Sequence, residues 1–206
     1  MSALARHFAH HRIAWSRVVV ALVLVVVLFT PPGELSGLTL LPEWVSDVCE
    51  VLGYSLVVVA TLWRIWCELF IAGTKNGELA GDGPYAIVRN PLYVGSFIGA
   101  VGLGCAVQQP LLAVVVGVVF ALAYPAVVAN EEADLARIFG DRYREYCARV
   151  PRWIPDWSLY REPAVVSVPL RQMRRAVLDA MWFLWAFGLW KLIEILHNEH
   201  LLPTLF

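Results

Sequence analysis

The sequence predicts an all-α integral membrane protein with about five transmembrane helices and a cytoplasmic amphipathic helix that closes a ligand pocket. Of its 206 residues, 59% are hydrophobic and only 16% are charged, and the mean hydropathy is +0.64. A soluble domain is usually closer to half apolar and a quarter charged. The apolar residues also fall in long runs, and the segments between the runs carry most of the charge. Both observations favour a chain that crosses a bilayer several times.

The apolar runs define five predicted helices. The first, at about residues 13–30, is slightly shorter than the roughly 20 residues that a bilayer needs. No signal-peptidase pattern follows it, so we expect it to remain as an anchor. The next three helices are predicted at about residues 48–72, 91–107 and 111–129. The fifth, at about residues 176–196, either spans the bilayer or lies in its interface.

The basic residues predict the orientation of these helices. All Lys and Arg except Arg64 and Lys191 fall in the N-terminal flank, the 73–91 loop or the 130–175 region. Five spans place these three segments on one side, which the positive-inside rule makes cytoplasmic. The short loops and the absence of sorting signals predict a prokaryotic plasma membrane. Arg64 and Glu68 lie four residues apart on the second helix, and we favour an internal ion pair over a ligand site there.

The segment between the second and third helices has the features of a small-ligand site. Gly83 and Pro84 predict a turn, and Asn90-Pro91 predicts a helix start with Asn90 as the capping residue. Arg89 and the free N–H groups of that helix start would together favour an anion. The candidate ligand-binding residues of this segment are Tyr85, Arg89, Asn90, Pro91, Tyr93 and Gly95.

A second candidate group follows the fourth helix. If the third and fourth helices form a hairpin, Glu131 and Glu132 lie beside Arg89, and the two walls suit a zwitterionic ligand with an aromatic base. Alternatively, the two carboxylates only stabilise the start of the amphipathic helix that the sequence predicts up to Arg149. The small residues of the third helix predict close helix packing, and Gly95 at its mouth is also a candidate to admit a ligand.

These motifs together resemble the isoprenylcysteine carboxyl methyltransferase and phospholipid methyltransferase family of membrane enzymes. The resemblance covers about residues 75–155. It implies S-adenosylmethionine as the methyl donor, bound at the cytoplasmic mouth under the amphipathic helix, and a lipid-like acceptor that enters from the bilayer. The motifs that carry it are Gly83-Pro84-Tyr85, Arg89-x-Pro91-x-Tyr93-x-Gly95, Glu131-Glu132-x-x-Leu135, Phe139-Gly140-x-x-Tyr143-x-x-Tyr146 and Val150-Pro151-Arg152.

Carried over to this sequence, the resemblance implies donor binding by the 85–95 segment and by the acidic pair Glu131 and Glu132. The family usually has His at the position of Asn90. Prenylcysteine-type enzymes also carry an Arg at the position of Val127, so a prenylcysteine acceptor is in doubt here. Methyl transfer to a carboxylate is favoured and needs alignment rather than a base. An amine or hydroxyl acceptor would need Glu132 or Glu131 as base. The expected catalytic residues are Arg89, Glu132 and Glu131.

Two other functions compete with this interpretation. The Tyr146–Pro151 segment also resembles NADPH-dependent sterol-reductase-like membrane enzymes, and the small-residue hairpin is also compatible with a non-enzymatic scaffold. We expect no metal site and no nucleic-acid partner, while membrane lipids surround the chain. The predicted organisation is an N-terminal pair of helices (1–72), a methyltransferase core (73–155) and a connector with a Trp-rich helix (156–206).

Overall fold

The computed structural model describes residues 43–73, 78–107, 110–199 and 201, and it is helical through most of that length. The predicted first helix at 13–30 and its basic flank lie outside the described residues. The described chain divides into two compact units: Leu41–Gly188 forms one, and the residues from Leu189 onward belong to the other. The helices are α1 (Glu43–Gly73), α2 (Pro84–Ile87), α3 (Pro91–Ala106), α4 (Pro110–Phe139), α5 (Asp141–Arg149), α6 (Leu170–Ala180) and α7 (Trp182–Asn198), with a 3-10 turn at Trp157–Leu159.

Within the part of the chain that the structure describes, three segments are long and apolar enough to cross a membrane: Asp47–Ala72, Ala113–Phe139 and Leu170–Asn198. The helix Pro91–Ala106 is also apolar but shorter. The all-α membrane fold is therefore confirmed, and the third predicted helix agrees with α3 to within one residue.

Several of the predicted boundaries are wrong. Helix α1 begins at Glu43 rather than near residue 48, and α6 begins at Leu170 rather than near residue 176. The fourth helix does not end near Ala129, because α4 continues through the acidic pair to Phe139 without a breaking residue. The chain breaks instead at Gly140, whose φ of +57° favours glycine, so the predicted amphipathic helix is split between the end of α4 and the short α5. The single helix predicted at 176–196 is likewise two helices, α6 and α7, which meet at Met181. That interruption is slight, because i→i−4 hydrogen bonds reach Met181 from both sides.

Helix α1 packs along α3, and α3 packs on α4. The small residues of these helices bring their backbones into close contact, as the sequence predicted. A Cβ atom on Gly53 would lie 2.2 Å from the backbone nitrogen of Ala106, and one on Gly104 would lie 2.6 Å from Cα of Ala113. This packing fixes the start of α3 beside the end of α1, where the candidate site lies.

We expect Gly53→Ala to destabilise the protein by about 1–3 kcal/mol, because the new methyl group overlaps backbone that cannot move independently of α3. Gly117→Ala is the matched control, since a Cβ atom there makes only ordinary contacts of 3.8 Å. The measurement is the thermal unfolding temperature of both variants in detergent. Equal unfolding temperatures would contradict the close α1–α3 packing.

Candidate functional site

The carboxylate of Glu132 on α4 binds three side chains that come from two distant parts of the chain. Arg89 Nη1 lies 3.5 Å from Glu132 Oε1, and Asn90 Nδ2 donates to the same oxygen at 3.1 Å. Arg152 approaches with two nitrogens, Nη2 at 2.9 Å from Oε2 and Nε at 3.2 Å from Oε1. Because the Glu132 side chain is only 15% exposed, these contacts are shielded from water. We call these four residues the Glu132 network.

Asn90 serves this network rather than the helix it precedes. It occupies the N-cap position of α3, and Pro91 follows at the first helical position, as predicted. The predicted side-chain cap is absent, however. The Asn90 amide donates instead to Glu132 and, at 3.3 Å, to the carbonyl oxygen of Arg152. Long-range contacts therefore replace the local bond that the sequence pattern favours.

The segment 151–161, which we call the strap, holds the 83–89 segment by backbone hydrogen bonds. Arg89 N donates to Pro151 O at 2.8 Å, Asp156 N to Ile87 O at 2.9 Å, and Gly83 N to Arg161 O at 2.7 Å. These three bonds satisfy backbone groups around the buried helix α2. They also place Arg152, the second strap residue, beside Glu132.

Glu131 lies at the edge of an aromatic cavity. Its Oε1 accepts a hydrogen bond of 2.7 Å from the hydroxyl of Tyr93, whose ring forms part of the cavity wall. Tyr124 packs edge-on to Tyr93 and is stacked on Phe120, one turn earlier on α4. The cavity measures about 360 Å³ and is lined by Tyr93, Val94, Phe97, Phe120, Ala121, Tyr124, Pro125 and Trp153. An apolar space with a carboxylate and a phenol at its edge suits an amphipathic ligand.

Of the ligand-binding residues predicted in the 85–95 segment, Tyr93 alone lines this cavity. Arg89 and Asn90 belong to the Glu132 network, and the other three lie elsewhere. Gly95 faces α1, where a Cβ atom would lie 2.6 Å from Cδ1 of Trp63. Tyr85 is buried in α2 with its hydroxyl unpartnered within the described chain, and its carbonyl oxygen accepts from the Tyr146 hydroxyl at 2.8 Å. The carbonyl oxygen of Pro91 accepts a hydrogen bond of 2.7 Å from Trp63 Nε1. All three residues have structural contacts that fix the segment around Arg89.

The predicted ion pair between Arg64 and Glu68 is replaced by another contact. Arg64 Nη1 donates to Ser96 Oγ on α3 at 2.6 Å, and its guanidinium lies 5.9 Å from the ring centre of Phe183. Arg64 therefore joins α1 to α3 and forms no salt bridge with Glu68, although its charge still attracts that carboxylate one turn along α1.

Sequence reasoning missed the role of Arg152 and most of the cavity wall. The Val150-Pro151-Arg152 motif was a signal for Arg152, although nothing in its spacing indicated Glu132 as its partner. Phe120 and Tyr124 are four residues apart, a spacing that predicts one helix face. Trp153 had no such signal, because the strap alone positions it.

A model of the phospholipid methyltransferase family matches residues 48–142, a range that contains Arg89, Asn90, Glu131 and Glu132. Protein-S-isoprenylcysteine O-methyltransferase of Schizosaccharomyces pombe is 40% identical over 91 residues, 41% of this chain and 37% of the relative. The corresponding protein B of Arabidopsis thaliana is 35% identical over 118 residues, 54% of this chain and 60% of the relative. Residues 48–142 of this chain therefore belong to the phospholipid methyltransferase family.

Two further relatives resemble this chain over nearly its whole length. The nickel-cobalt-cadmium resistance protein NccN of Alcaligenes xylosoxydans is 36% identical over 98% of this chain and 92% of the relative. The cobalt-zinc-cadmium resistance protein CzcN of Cupriavidus metallidurans is 36% identical over 97% of this chain and 89% of the relative. No solved structure matches the sequence significantly.

Two buried tyrosines of this methyltransferase fold allow a paired test. Tyr146→Phe should destabilise the protein by about 1 kcal/mol, because the carbonyl oxygen of Tyr85 loses its donor. Tyr85→Phe should be neutral or stabilising, because it removes a buried hydroxyl that has no partner among the described residues. Thermal unfolding of both variants is the measurement. A larger loss for Tyr85→Phe than for Tyr146→Phe would show that the Tyr85 hydroxyl has a partner.

Burial raises the pKa of both Tyr85 and Tyr146 above that of a free tyrosine. The neutral forms therefore stabilise the fold below a pH of about 10, and this contribution is lost as the pH rises further.

Proposed function

We propose that the chain is an S-adenosylmethionine-dependent methyltransferase that acts on a lipid-like acceptor from the bilayer. The observation that carries this proposal is the Glu132 network beside an aromatic cavity. The network fixes the position of one guanidinium, Arg89, and the cavity offers apolar walls next to a second carboxylate, Glu131. S-adenosylmethionine carries both a positive sulfonium and a negative carboxylate, whereas the acceptor is apolar. The two molecules therefore need a charged surface and an apolar surface side by side.

The residues present fit the donor in charge and size. The cavity volume of about 360 Å³ falls in the range usual for small-molecule sites. Arg89 Nε is buried without a hydrogen-bond partner within the described chain, so it has a donor to offer to a carboxylate. Glu131 and the faces of Tyr93 and Tyr124 would hold the cationic part, through charge and cation–π attraction.

When bound, S-adenosylmethionine would supply a methyl group on a positively charged sulfur. The contribution of this chain is then to align the acceptor with that methyl group and to exclude water. Glu132 is a positioning residue on this proposal, because both of its oxygens already bind donors. Glu131 has one hydrogen bond and is exposed, so it is the better proton acceptor should the acceptor be an amine or a hydroxyl.

The favoured acceptor carries a carboxylate and an apolar chain. The cavity walls include Phe97 and Ala121, both exposed on the apolar helices α3 and α4, so an acyl or prenyl chain would reach the cavity from the bilayer. Val127 on α4 stands where prenylcysteine-type enzymes carry an Arg, which favours an amphipathic acid other than a prenylcysteine. The proposed location is a prokaryotic plasma membrane with the Glu132 network on its cytoplasmic side.

A second proposal concerns what the methylation is for. The relatives similar over nearly the whole chain are named for resistance to nickel, cobalt, zinc and cadmium. We infer that the reaction of this chain supports tolerance of such divalent metals. The test uses a host whose metal tolerance depends on this chain. When Arg89→Ala replaces the wild type, lower concentrations of cadmium and cobalt should be enough to inhibit growth. Equal inhibition of the two strains would separate metal tolerance from the methyltransferase site.

The experiment that tests the enzyme class is calorimetric titration of the detergent-purified protein with S-adenosylhomocysteine and, separately, with NADPH. We expect micromolar binding of S-adenosylhomocysteine and no binding of NADPH. The reverse result would support a reductase, and binding of neither would support a scaffold. Transfer of a radiolabelled methyl group to fatty and prenyl acids, compared with the matching amines, then identifies the acceptor group.

A further inference from the structure

The first turns of α6 expose arginines and aliphatic side chains on the same helix face. Arg171, Arg174 and Arg175 are all exposed. Leu178 follows Arg174 by four residues and Arg171 by seven, so the leucine lies on the arginine face, where it is 58% exposed. Leu170, at the start of the helix, is 79% exposed. The opposite face, with Ala176 and Ala180, is buried, and α6 packs against α1.

The arginines have no anionic partner among the described residues. The ion pairs of the described chain include Arg89, Arg137, Arg144, Arg152 and Lys191, but none of the three arginines of α6. The only acidic residue of α6 is Asp179, four residues after Arg175, and no ion pair joins the two. A shallow groove of about 750 Å³ runs between these side chains, lined by Leu170, Arg171, Met173, Arg174, Val177 and Leu178.

The arginines also lie at the N-terminal end of a segment that is able to cross a membrane. Leu170–Asn198 is one of the three described segments that are able to cross a bilayer, and the arginines occupy its first two turns. Arg171 and Leu178 are about 10 Å apart along the helix axis, by the rise of 1.5 Å per residue. In a phospholipid the phosphate lies at the interface and the acyl chain begins deeper in the bilayer. The arginines and the aliphatic side chains about 10 Å beyond them are spaced to contact these two parts.

We propose that this face of α6, the residues Leu170, Arg171, Arg174, Arg175 and Leu178, binds an anionic phospholipid. The arginines contact the phosphate and the negative headgroup, and the groove beside Val177 and Leu178 holds the start of an acyl chain. The site is separate from the Glu132 network and from the aromatic cavity. It would select phosphatidylglycerol over phosphatidylcholine in the leaflet that faces the start of α6.

Brominated lipids test this site through tryptophan fluorescence. Trp182 and Trp185 are exposed just beyond α6, within reach of bromine atoms on an acyl chain in the groove. The full-length protein is reconstituted in phosphatidylcholine vesicles, and brominated phosphatidylglycerol or brominated phosphatidylcholine is added in increasing fractions. For the wild type we expect half-maximal quenching at an about three- to tenfold lower fraction of the anionic lipid. Equal fractions for the two lipids would overturn the proposal.

Charge variants separate this site from a general effect of charge. R171Q/R174Q/R175Q should remove the preference, whereas R171K/R174K/R175K should keep most of it. The matched control is R137Q/R142Q/R144Q, which changes the net charge equally at exposed arginines of α4 and α5 and should keep the preference. A preference that survives in the α6 glutamine variant, or that disappears in the control, would overturn the proposal.

Two further measurements keep the test decisive. If circular dichroism shows that the α6 glutamine variant is misfolded, 0.5 M NaCl on the wild type takes its place and should abolish the preference by screening. Glycerol phosphate in millimolar amounts should not change the quenching. If it removes the preference, the arginines bind a free phosphate ester, and the proposal of a lipid ligand is wrong.

Discussion

Replacing Glu132 by alanine should lower the free energy of unfolding by about 3 kcal/mol and abolish binding of S-adenosylhomocysteine. The change leaves Arg89 and Arg152, whose side chains are 19% and 33% exposed, without the carboxylate that neutralises them. Removing one partner of a shielded ion pair costs several kcal/mol because the other charge stays buried and uncompensated. Thermal unfolding and calorimetric titration measure the two effects.

The control for this prediction is Asp141→Ala, which removes an ion pair with Arg144 that is exposed on both sides. Such a pair contributes about 0.5 kcal/mol or less, so this variant should behave like the wild type. Glu132→Gln should fall between the two, because the amide still accepts a hydrogen bond but carries no charge. If Glu132→Ala unfolds at the wild-type temperature, the contacts of the Glu132 network contribute little to stability.

Replacing Arg89 by alanine should weaken the binding of S-adenosylhomocysteine by about a hundredfold, the loss expected for a charge-assisted hydrogen bond in a shielded site. Arg89 borders the turn before α3 and keeps one buried nitrogen free of partners within the described chain. Arg89→Lys should recover only part of this affinity, because an ammonium group lacks the two-pronged geometry of guanidinium. Calorimetric titration in detergent is the measurement.

Arg152→Ala shows why Arg89→Ala loses affinity for S-adenosylhomocysteine. The cause is either a lost contact between Arg89 and the ligand or a disturbed Glu132 network. Both arginines contact Glu132, but only Arg89 is proposed to touch the donor. We expect the two variants to lose similar stability and Arg89→Ala to lose far more affinity. Equal affinities for the two variants would assign Arg89 the same positioning role as Arg152. The exposed Arg149→Ala controls for the loss of one positive charge.

The helices of the described chain were predictable from hydropathy, because a bilayer demands long apolar runs with every backbone group bonded internally. The ends of these helices were less predictable. Helix α4 continues past Asn130, although the residues there are polar, because polarity alone does not break a helix and no Gly or Pro occurs between Asn130 and Gly140. In this segment the polar residues after Ala129 indicate where the apolar part of α4 ends, whereas Gly140 indicates where the helix itself ends.

The candidate site was predictable from the sequence only where the order of the helices alone brings its residues together. The α3–α4 hairpin brings Arg89 and Asn90 to Glu132, as the sequence predicted. The part played by Arg152 was not predictable, because it depends on how the strap pairs with the 83–89 segment. The failed prediction of the Asn90 cap has the same cause, since two long-range acceptors compete successfully with the local one.

The strap has a consequence for how the protein is made. Its three backbone bonds join residues that are about 60 to 80 positions apart in the chain. During synthesis, α1, α3 and α4 are therefore complete and available to the membrane insertion machinery before residues 151–161 leave the ribosome. Until then Arg89 lacks the neighbour that shares its carboxylate, and the 83–89 segment has unpaired backbone groups. The Glu132 network can therefore be completed only after residues 151–161 have been synthesised, and a chain that ends before residue 151 would lack both Arg152 and the strap.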